Sequence, residues 1–453
     1  MSSVNPICRC RWRWPQAIIG VVMLAVLVGT ARGEAIPQVD RQVLPNGLVL
    51  LVSADHTLPF VTMRFLAEAG AGHDPQASAG LANVTAEGLL LGTASLTAAQ
   101  MNEKIDFLGA ALGTSCDFDY AAVDFRVLKA DWAQGIDILL DVITRPTFPE
   151  EEINRAVRAI QSALNEEDDQ PGIVADKAFQ QALFRYSPYG HPVQGTIDSL
   201  NGVTPEQVRR FYARHYRPDT GILVIVGDVS PDDVQKMVDR LSQWKPGGQP
   251  AEIPEQVLTP SPRDVLIDRP LAQANIILGH AGIARANPDF HAVVVMNQIL
   301  GGGGFTSRLM QRIRVEKGFA YSVSSYFEPR KHPGPFQVVL QTKNTSAREA
   351  IDIARAQMRL MQEKAVSDQE LDTAKNYLIG SFPLRYASQK GLAQLLAYVE
   401  FHQLGQDYFR KYAERVRRIE KKDVQDAARK YLKPDQAVVA IVADLKAAGM
   451  QTP

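Results

Sequence analysis

Histidine and cysteine, the side chains that most often bind transition metals in proteins, are sparse and unsuitably spaced in this chain. Two histidines four positions apart on a helix face the same side and can share one metal ion. No two of the eight histidines have that spacing. Cys8 and Cys10 lie in the N-terminal segment, and only Cys116 lies beyond it. We therefore exclude a cysteine-based metal site and an internal disulfide in the mature chain.

The stretch "GLANVTAEGLLLGT", residues 80–93, is predicted to form a short helix that ends at Gly92. Asn83 and Glu87 are four positions apart, so they are expected to form a hydrogen bond to each other on one helix face. Glu166 and Glu167 follow on a later predicted helix, where their acidic neighbours indicate a solvated helix end.

A second stretch, "LGGGGFTSRLMQRIRVEKGFAYSV", residues 300–323, begins with four consecutive glycines. These are predicted to form a flexible loop, and they do not form a phosphate loop because no Gly-Lys-Ser/Thr follows them. A helix should come next, ended by Gly318, and a strand should start near Phe319. The glycines are Gly301, Gly302, Gly303 and Gly304, and the predicted apolar stripe of the helix is Leu309, Met310 and Ile313.

These stretches lie in two halves that resemble each other. "VTPEQVRRFYARHYRPDTGILVIVGD" (203–228) and "IEKKDVQDAARKYLKPDQAVVAIVAD" (419–444) each give an amphipathic helix, a Pro-Asp pair, a β-branched strand and a closing Asp. Helix-turn-helix patterns upstream, at 135–160 and 350–379, also match. A period above 200 residues indicates a duplicated domain rather than a solenoid repeat.

Alternating strands and long helices without a regular βαβ order predict an α+β fold in each half. The first half opens with two strands joined by a polar turn, in "GLVLLVSADH" and "FVTMRFLAEAG". The segment 244–264 is rich in proline and has no helical or strand period, so it is predicted to be a linker. The expected domains are therefore 34–243 and 265–453.

Residues 1–33 are predicted to be a secretory signal peptide, because arginines without acidic residues precede a short apolar run and a small-residue region. An uncleaved anchor is the alternative. Signal cleavage would place the mature chain, without a stable membrane span, in the periplasm. The formal net charge of −1 gives no basic signature for nucleic acid.

Taken in order, the motifs resemble the M16 (pitrilysin-like) metallopeptidase family, in its bacterial and mitochondrial-processing-peptidase branch. They are "LPNGLVLLV", the glycine-rich turn at 70–74, "GLAN…GT", "RPTFPEEEINR", "YGHPVQGT" and "GGGGFTSRL…EKGFAYSV". The resemblance covers nearly everything after residue 40. It implies two homologous domains of the LuxS/MPP-like type, each a mainly antiparallel sheet packed with helices.

Active members of this family carry His-x-x-Glu-His on the helix that matches 80–93 and a further Glu ligand on a later helix. Asn83, Ala86 and Glu87 stand at the three motif positions, and no carboxylate stands near 162–164. Alanine cannot accept a proton, and a neutral amide is a poor zinc ligand. The resemblance therefore implies a degenerate motif and no zinc in this chain.

The family also carries an Arg and a Tyr, seven positions apart, that bind the scissile carbonyl, and Arg314 and Tyr321 match both types and the spacing. Together they could stabilise a developing oxyanion. Gly301 to Gly304 belong to the same substrate-binding stretch. The alternatives are a solvated Arg314 and a Tyr321 packed beside Phe319 and Val323. Arg308 is expected to hold the loop to the helix.

In two-chain members of this branch, one subunit carries the zinc and the other the Arg-Tyr pair. The resemblance thus implies a non-catalytic, substrate-binding subunit that encloses an unstructured peptide beside a catalytic M16 partner with an intact zinc motif. Two alternatives remain: a binding or scaffold protein without a role in proteolysis, and a peptidase active alone through another site.

Overall fold

The computed structural model describes residues 36–245, residue 253 and residues 264–450. The predicted signal peptide and most of the predicted linker lie outside the described residues. Within them, no helix is both long and apolar enough to span a bilayer. The two halves are called here the first half (36–245) and the second half (264–450).

The first half contains six strands and eight α-helices among its described residues. The strands are β1 (Asp40–Val43), β2 (Val49–Ala54), β3 (Phe60–Ala67), β4 (Ala111–Cys116), β5 (Ala121–Leu128) and β6 (Ile222–Gly227). The helices are α1 (Leu81–Gly88), α2 (Ala98–Phe107), α3 (Trp132–Thr144), α4 (Glu150–Glu167), α5 (Pro171–Leu183), α6 (Ile197–Leu200), α7 (Pro205–His215) and α8 (Pro231–Leu241).

The second half is built from a similar series of elements. Its strands are β7 (Val265–Asp268), β8 (Gln273–Ala281), β9 (Ala320–Phe327), β10 (Pro335–Lys343) and β11 (Val438–Ala443). Its α-helices are α9 (Phe290–Asn297), α10 (Ala347–Glu363), α11 (Asp368–Ser381), α12 (Gln389–Phe401), α13 (Tyr408–Arg417) and α14 (Lys421–Tyr431). Two π-helical segments, Gln298–Gly302 and Met310–Glu316, lie between α9 and β9.

The two sheets repeat one topology. The first has the order β1-β2-β6-β3-β5-β4 and the second has the order β7-β11-β8-β10-β9. Only β2–β6 and β7–β11 pair in parallel, and every other described pair is antiparallel. The prediction of two homologous α+β halves, each with a mainly antiparallel sheet, is confirmed.

The strand that arrives late in each half lies in the middle of its sheet. β6 separates β2 from β3, so the two opening strands are neighbours in sequence but not in the sheet. Every residue of β6 and of β11 is buried. Their continuous β-branched sequences, ILVIVG and VVAIVA, fit a strand that is covered on both faces.

Each half also covers part of the sheet of the other half. Helix α12 from the second half packs on β6 and β3, where Leu392 and Leu396 form one buried cluster with Val224 and Leu66. Helix α5 from the first half packs on β8 and β11, and its Phe179 is fully buried there. Because of this exchange, the described residues from 38 to 450 form one compact unit.

Polar contacts join the halves beside this exchange. Asp119 accepts hydrogen bonds from the backbone N–H of Lys331, at 2.6 Å, and from the Tyr189 hydroxyl. Lys331 also pairs with Glu68, and Arg41 makes two hydrogen bonds to Glu400 at 2.8 and 3.0 Å. The two halves are thus fixed to each other by charged as well as apolar contacts.

Candidate functional site

Helix α1, which carries the degenerate motif, starts at a position that requires a special backbone. Gly80 precedes it with φ of 94°, a conformation that favours glycine. Asp74 accepts hydrogen bonds from the N–H groups of Gly80, at 2.8 Å, and Ala82, at 2.7 Å. Burial raises the pKa of Asp74 to about 8, although both of these N–H groups oppose the increase. The aspartate thus anchors the start of α1.

The motif positions on α1 interact with each other. The Asn83 amide donates a hydrogen bond to Glu87 Oε1 at 3.0 Å, as predicted from their spacing. Burial raises the pKa of the Glu87 carboxyl, and the Asn83 amide opposes that increase. Ala86 is 1% exposed and lies in the core. This face of α1 has one carboxylate, one neutral amide and no second carboxylate that could act as a base.

Helix α4 supplies no ligand to complete a metal site. Ser162 and Ala163 are exposed and Leu164 is buried. Glu167 pairs with Lys177 at 2.8 Å, and Glu166 is exposed at the helix end, as expected. No group of three or more His, Cys, Asp or Glu side chains able to hold a metal occurs in the part of the chain that the structure describes. The residues on α1 and α4 do not fit zinc.

The glycine run in the second half is a packed turn rather than a wholly flexible loop. Gly301 and Gly302 belong to the π-helical segment that continues α9, and Gly301 is buried. A Cβ on Gly301 would lie 2.4 Å from Ser325 Oγ and 2.6 Å from Ser325 N, so only glycine fits there. The predicted flexible loop is therefore wrong for Gly301 and Gly302. Gly303 ends the segment, and Gly304, with φ of 54°, starts a 3-10 turn.

Two other polar contacts fix this turn. Asn297 and Ser325 form a reciprocal pair: Asn297 Nδ2 donates to the Ser325 carbonyl at 2.9 Å, and Ser325 Oγ donates to Asn297 Oδ1 at 2.7 Å. Arg308 donates two hydrogen bonds to Glu370, at 2.7 and 3.1 Å, and Glu370 lies at the start of α11. Arg308 thus holds the turn to a helix, as expected, although that helix is α11 and not the one that follows the glycines.

The helix after the glycines differs from the prediction in its pitch. Residues 310–316 are π-helical, a form that is rare and frequent at functional sites. Leu309, Met310 and Ile313 are buried, as predicted. Gly318, with φ of 65°, ends the segment, and its N–H donates to the Arg314 carbonyl at 3.0 Å. Strand β9 then begins at Ala320, one residue after the predicted position.

Arg314 and Tyr321 are in direct contact. The Arg314 guanidinium donates a hydrogen bond to the Tyr321 backbone carbonyl. It lies 4.6 Å from the centre of the Tyr321 ring and 4.8 Å from that of Phe305. The guanidinium thus contacts two aromatic rings and a backbone carbonyl, so the interpretation as a merely solvated helix residue is wrong. Phe305 had no distinguishing signal in the sequence beyond its place directly after the glycines.

A β-bulge in β9 accounts for the orientation of Tyr321. In the pairing with β10, Val323 lies opposite Leu340 and Ala320 lies opposite Thr342. Tyr321 and Ser322 together therefore face one residue, Gln341. Bulges of this kind redirect side chains and are frequent beside active sites. Tyr321 is 82% exposed while Val323 is buried, so the alternative in which both pack on one face is wrong.

The arrangement offers unused hydrogen-bond donors at the surface. Among the described residues, the Tyr321 hydroxyl has no hydrogen-bond partner, and Arg314 uses only one terminal nitrogen. A fixed guanidinium and a phenol side by side can bind a carbonyl oxygen and stabilise negative charge that develops on it. The two halves therefore differ. The first has no set of zinc ligands and no base at the base position of the motif, whereas the second presents the hydrogen-bond donors of Arg314 and Tyr321.

Family profiles match most of both halves. The profile described as Insulinase (Peptidase family M16) matches residues 49–197, and the profile described as Peptidase M16 inactive domain matches residues 202–378. The first contains the degenerate motif on α1, and the second contains Arg314 and Tyr321.

Individual relatives agree with these matches. An uncharacterized zinc protease of Streptomyces coelicolor is 30% identical over 77% of this chain and 78% of its own length. A non-peptidase homolog of Helicobacter pylori is 24% identical over 80% of this chain and 84% of its own. A crystal structure described as a peptidase M16 inactive domain from Pseudomonas fluorescens is 27% identical, with a TM-score of 0.85 over 92% of this chain and all of that one.

Proposed function

This chain belongs to the M16 peptidase family, and from that premise we propose that it is the non-catalytic, substrate-binding subunit of an exported zinc-dependent M16 peptidase heterodimer. Its partner is a catalytic M16 chain with an intact zinc motif. This chain supplies Arg314 and Tyr321 to the active site of that partner and holds an unstructured peptide there.

One observation supports the proposal most strongly: the first half lacks the residues of the zinc motif, whereas the second half keeps the Arg314–Tyr321 pair. On α1, Asn83 and Glu87 are bonded to each other and Ala86 is buried, so the helix has no zinc-ligand set and no base at the base position of the motif. In the second half, a packed turn and a bulged strand keep the Arg314–Tyr321 pair at the surface. A scaffold protein would not need an exposed phenol beside a fixed guanidinium. This contrast supports a donor role over the scaffold alternative.

The chemistry of the pair fits a transition-state role. When a nucleophile adds to a peptide carbonyl, negative charge develops on the oxygen. The Arg314 guanidinium offers several N–H donors, and the Tyr321 hydroxyl can donate one further hydrogen bond. Because the carbonyl is a weaker acceptor than the oxyanion, both contacts strengthen as the reaction proceeds. Zinc chemistry itself is assigned to the partner, since the residues at the motif positions of α1 and on α4 do not fit the metal.

Backbone geometry supports an extended peptide as the substrate. Strand β9 lies at one edge of its sheet and pairs only with β10 among the described strands. An edge strand has unpaired N–H and C=O groups that can bind an extended segment of another chain. Tyr321 is part of this edge, so a peptide bound along β9 would pass the Arg314–Tyr321 pair.

The experiment that tests the heterodimer is affinity purification of the tagged chain from its host, followed by mass spectrometry of co-eluting proteins. We expect an M16 chain with an intact His-x-x-Glu-His motif. Mixing the two purified chains should give peptidase activity that a zinc chelator removes, and this chain alone should give none. Chelator-sensitive activity of this chain alone would contradict the proposal and favour the third alternative.

Export rests on residues outside the described structure and has its own test. If residues 1–33 are a signal peptide, the mature protein should begin near Glu34 or Ile36 and occur in the periplasm. N-terminal mass spectrometry of the periplasmic fraction measures this directly. Detection of an intact Met1 in the cytoplasm would remove export from the proposal and leave the subunit role to the mixing experiment.

A further inference from the structure

A cavity of about 710 Å³ with both polar and apolar lining residues lies among the helices of the second half, apart from the Arg314–Tyr321 pair. It is bounded by the segment before α9, the start of α9, the turn after α12, and helices α13 and α14. Its volume is within the range of small-molecule sites in proteins, which is roughly 300–1,000 Å³. No residue of the proposed active-site pair lines it.

The most unusual residue of this cavity is Arg285. Four arginines are buried among the described residues, and three of them pair with a carboxylate: Arg64 with Asp124, Arg217 with Asp219 and Arg330 with Glu328. Arg285 is 4% exposed and has no carboxylate within ion-pair distance in that part of the chain. A buried charge without a counter-charge is costly, so it requires a reason.

The contacts of Arg285 orient its guanidinium but leave donor capacity unused. One terminal nitrogen donates to the Tyr408 hydroxyl at 3.1 Å, and the guanidinium lies 3.6 Å from the centre of the Phe290 ring. Its Nε is buried and has no hydrogen-bond partner. The aromatic contacts stabilise a cation in place without neutralising it.

Three more nitrogen-bearing side chains with free donor capacity line the same cavity. Arg415, on α13, is half-buried and has no ion-pair or hydrogen-bond partner among the described residues. Nδ1 of His291 is buried and unpaired. The His402 ring contacts Tyr398 and Phe401, and its nitrogens make no hydrogen bond within the described chain. The cavity is thus lined by several nitrogen donors that make no hydrogen bond within the described residues.

The carboxylates at the edge of the cavity are already engaged. Asp289 accepts hydrogen bonds from Lys430, at 2.8 Å, and from the Tyr431 hydroxyl, at 2.6 Å. Asp423 caps the start of α14 by accepting from the Glu420 N–H at 2.8 Å, and Asp426 lies 3.7 Å from Arg429. None of them pairs with Arg285 or Arg415. Of the cations that line the cavity, Arg418 and Lys430 pair with carboxylates, whereas Arg285 and Arg415 have no ion-pair partner among the described residues.

The titration of the two histidines agrees with a positive interior. Burial lowers the pKa of His291 to about 4, and the charges of Arg415 and Arg285 lower it further in the same direction. Burial likewise lowers the pKa of His402 to about 4, with smaller effects from Arg285 and Lys331. Both rings are neutral at pH 7 and can donate one hydrogen bond each.

We propose that this cavity is a binding site for a small organic molecule that carries an oxyanion, either a phosphate or a carboxylate group. Arg285 and Arg415 bind the oxyanion, and His291 and His402 donate to it. The volume exceeds that of a single inorganic ion, and Phe290, Leu404 and Ile419 give the remainder of the molecule an apolar wall. The site is separate from the proposed active site and does not depend on a role in proteolysis.

The test measures binding of inorganic phosphate and of succinate to the purified protein by titration calorimetry, at an ionic strength kept constant with sodium chloride. We expect at least one probe to bind saturably. Arg415→Gln should weaken that binding at least about tenfold, because a hydrogen bond to a charged group contributes roughly 1.5–3 kcal/mol. Arg417→Gln is the matched control: it is exposed on the same helix, outside the cavity, and should bind like the wild type.

A second variant separates a binding role of Arg285 from a structural one. Arg285→Met keeps the length of the side chain and removes the buried charge, so thermal stability should be kept or raised while probe binding is lost. Failure of both probes to bind, or equal binding by the wild type and Arg415→Gln, would overturn the proposal. The Arg415→Gln comparison decides the outcome even if Arg285→Met does not fold.

Discussion

The helix after β3 and the helix after β8 occupy the same place in the two halves, yet they have different local structures. Helix α1 is a regular helix whose polar side chains, Asn83 and Glu87, bond to each other. Helix α9 widens into a π-helical segment and packs through Gly301 against Ser325 on β9. The same strand order can thus support a regular helix whose polar side chains bond to each other in one half, and an irregular π-helical turn in the other.

The edge strands differ in the same way. Strand β4 pairs with β5 in continuous register from Ala111 to Cys116. Strand β9 has a bulge at Tyr321 and Ser322 in its pairing with β10. Strand β4 is regularly hydrogen-bonded and has no redirected side chain. In β9, the bulge exposes the phenol of Tyr321. The candidate functional residues of this protein thus lie on irregular backbone. This agrees with the general observation that bulges and π-helical turns are frequent at functional sites.

The largest expected effect among stability tests of this comparison concerns the packed glycine. Gly301→Ala should lower the free energy of unfolding by about 2–3 kcal/mol, at the upper end for overpacking, because its Cβ would meet Ser325. Gly113→Ala on β4 is the control: its Cβ would meet nothing within 4 Å, so it should be neutral or slightly stabilising. Urea unfolding measures both. Equal effects would mean that the turn in the second half is not tightly packed.

A smaller effect is expected from the contact that ties the turn to α11. Arg308→Ala should cost about 1 kcal/mol, less than a buried charged hydrogen bond because Glu370 is partly exposed. Arg312→Ala, in an exposed pair with Glu316, should cost less than Arg308→Ala. Similar losses in the two variants would show that Arg308 contributes no more than a surface charge.

The same contact predicts a pH dependence. Burial raises the pKa of Glu370, but hydrogen bonds from Arg308 and Ser367 outweigh it and lower the pKa to about 2. Because the folded pKa is below the unfolded one, near 4.5, this stabilisation is full above that pH and is lost as pH falls towards 2. Arg308→Ala should therefore flatten the pH dependence of unfolding in this window. An unchanged profile would contradict the assignment.

The smallest expected effect belongs to the motif helix. Asn83→Ala removes one hydrogen bond between neighbours on a helix, which contributes about 0.2–0.5 kcal/mol. Gln235→Ala on α8, which removes a similar bond to Asp239, should cost the same. If Asn83→Ala instead abolished activity of an assembled complex, α1 would have a role beyond packing.

The sequence predicted the duplicated α+β halves because their Pro-Asp turns and closing strands match without a gap. It also predicted the helix end at Gly318, which depends on a local residue type. Arg314 and Tyr321 were selected through the resemblance to the M16 family, and their role stays a prediction. It could not predict the exchange of α5 and α12, because an apolar helix face does not specify which sheet it covers. The π-helical segments and the bulge at Tyr321 leave no periodic pattern of their own. The role of Phe305 and the unpaired charge of Arg285 depend on contacts between distant residues.

The most direct test of the central claim compares kcat of the assembled heterodimer carrying wild-type Tyr321 or Tyr321→Phe. Loss of one oxyanion donor typically costs about 2.7–4 kcal/mol, so kcat should fall on the order of 10²–10³-fold while complex formation is unchanged. Tyr377→Phe, which changes another exposed tyrosine on α11, should leave kcat at the wild-type value. Equal kcat for wild type and Tyr321→Phe would contradict the account and make the second half a scaffold.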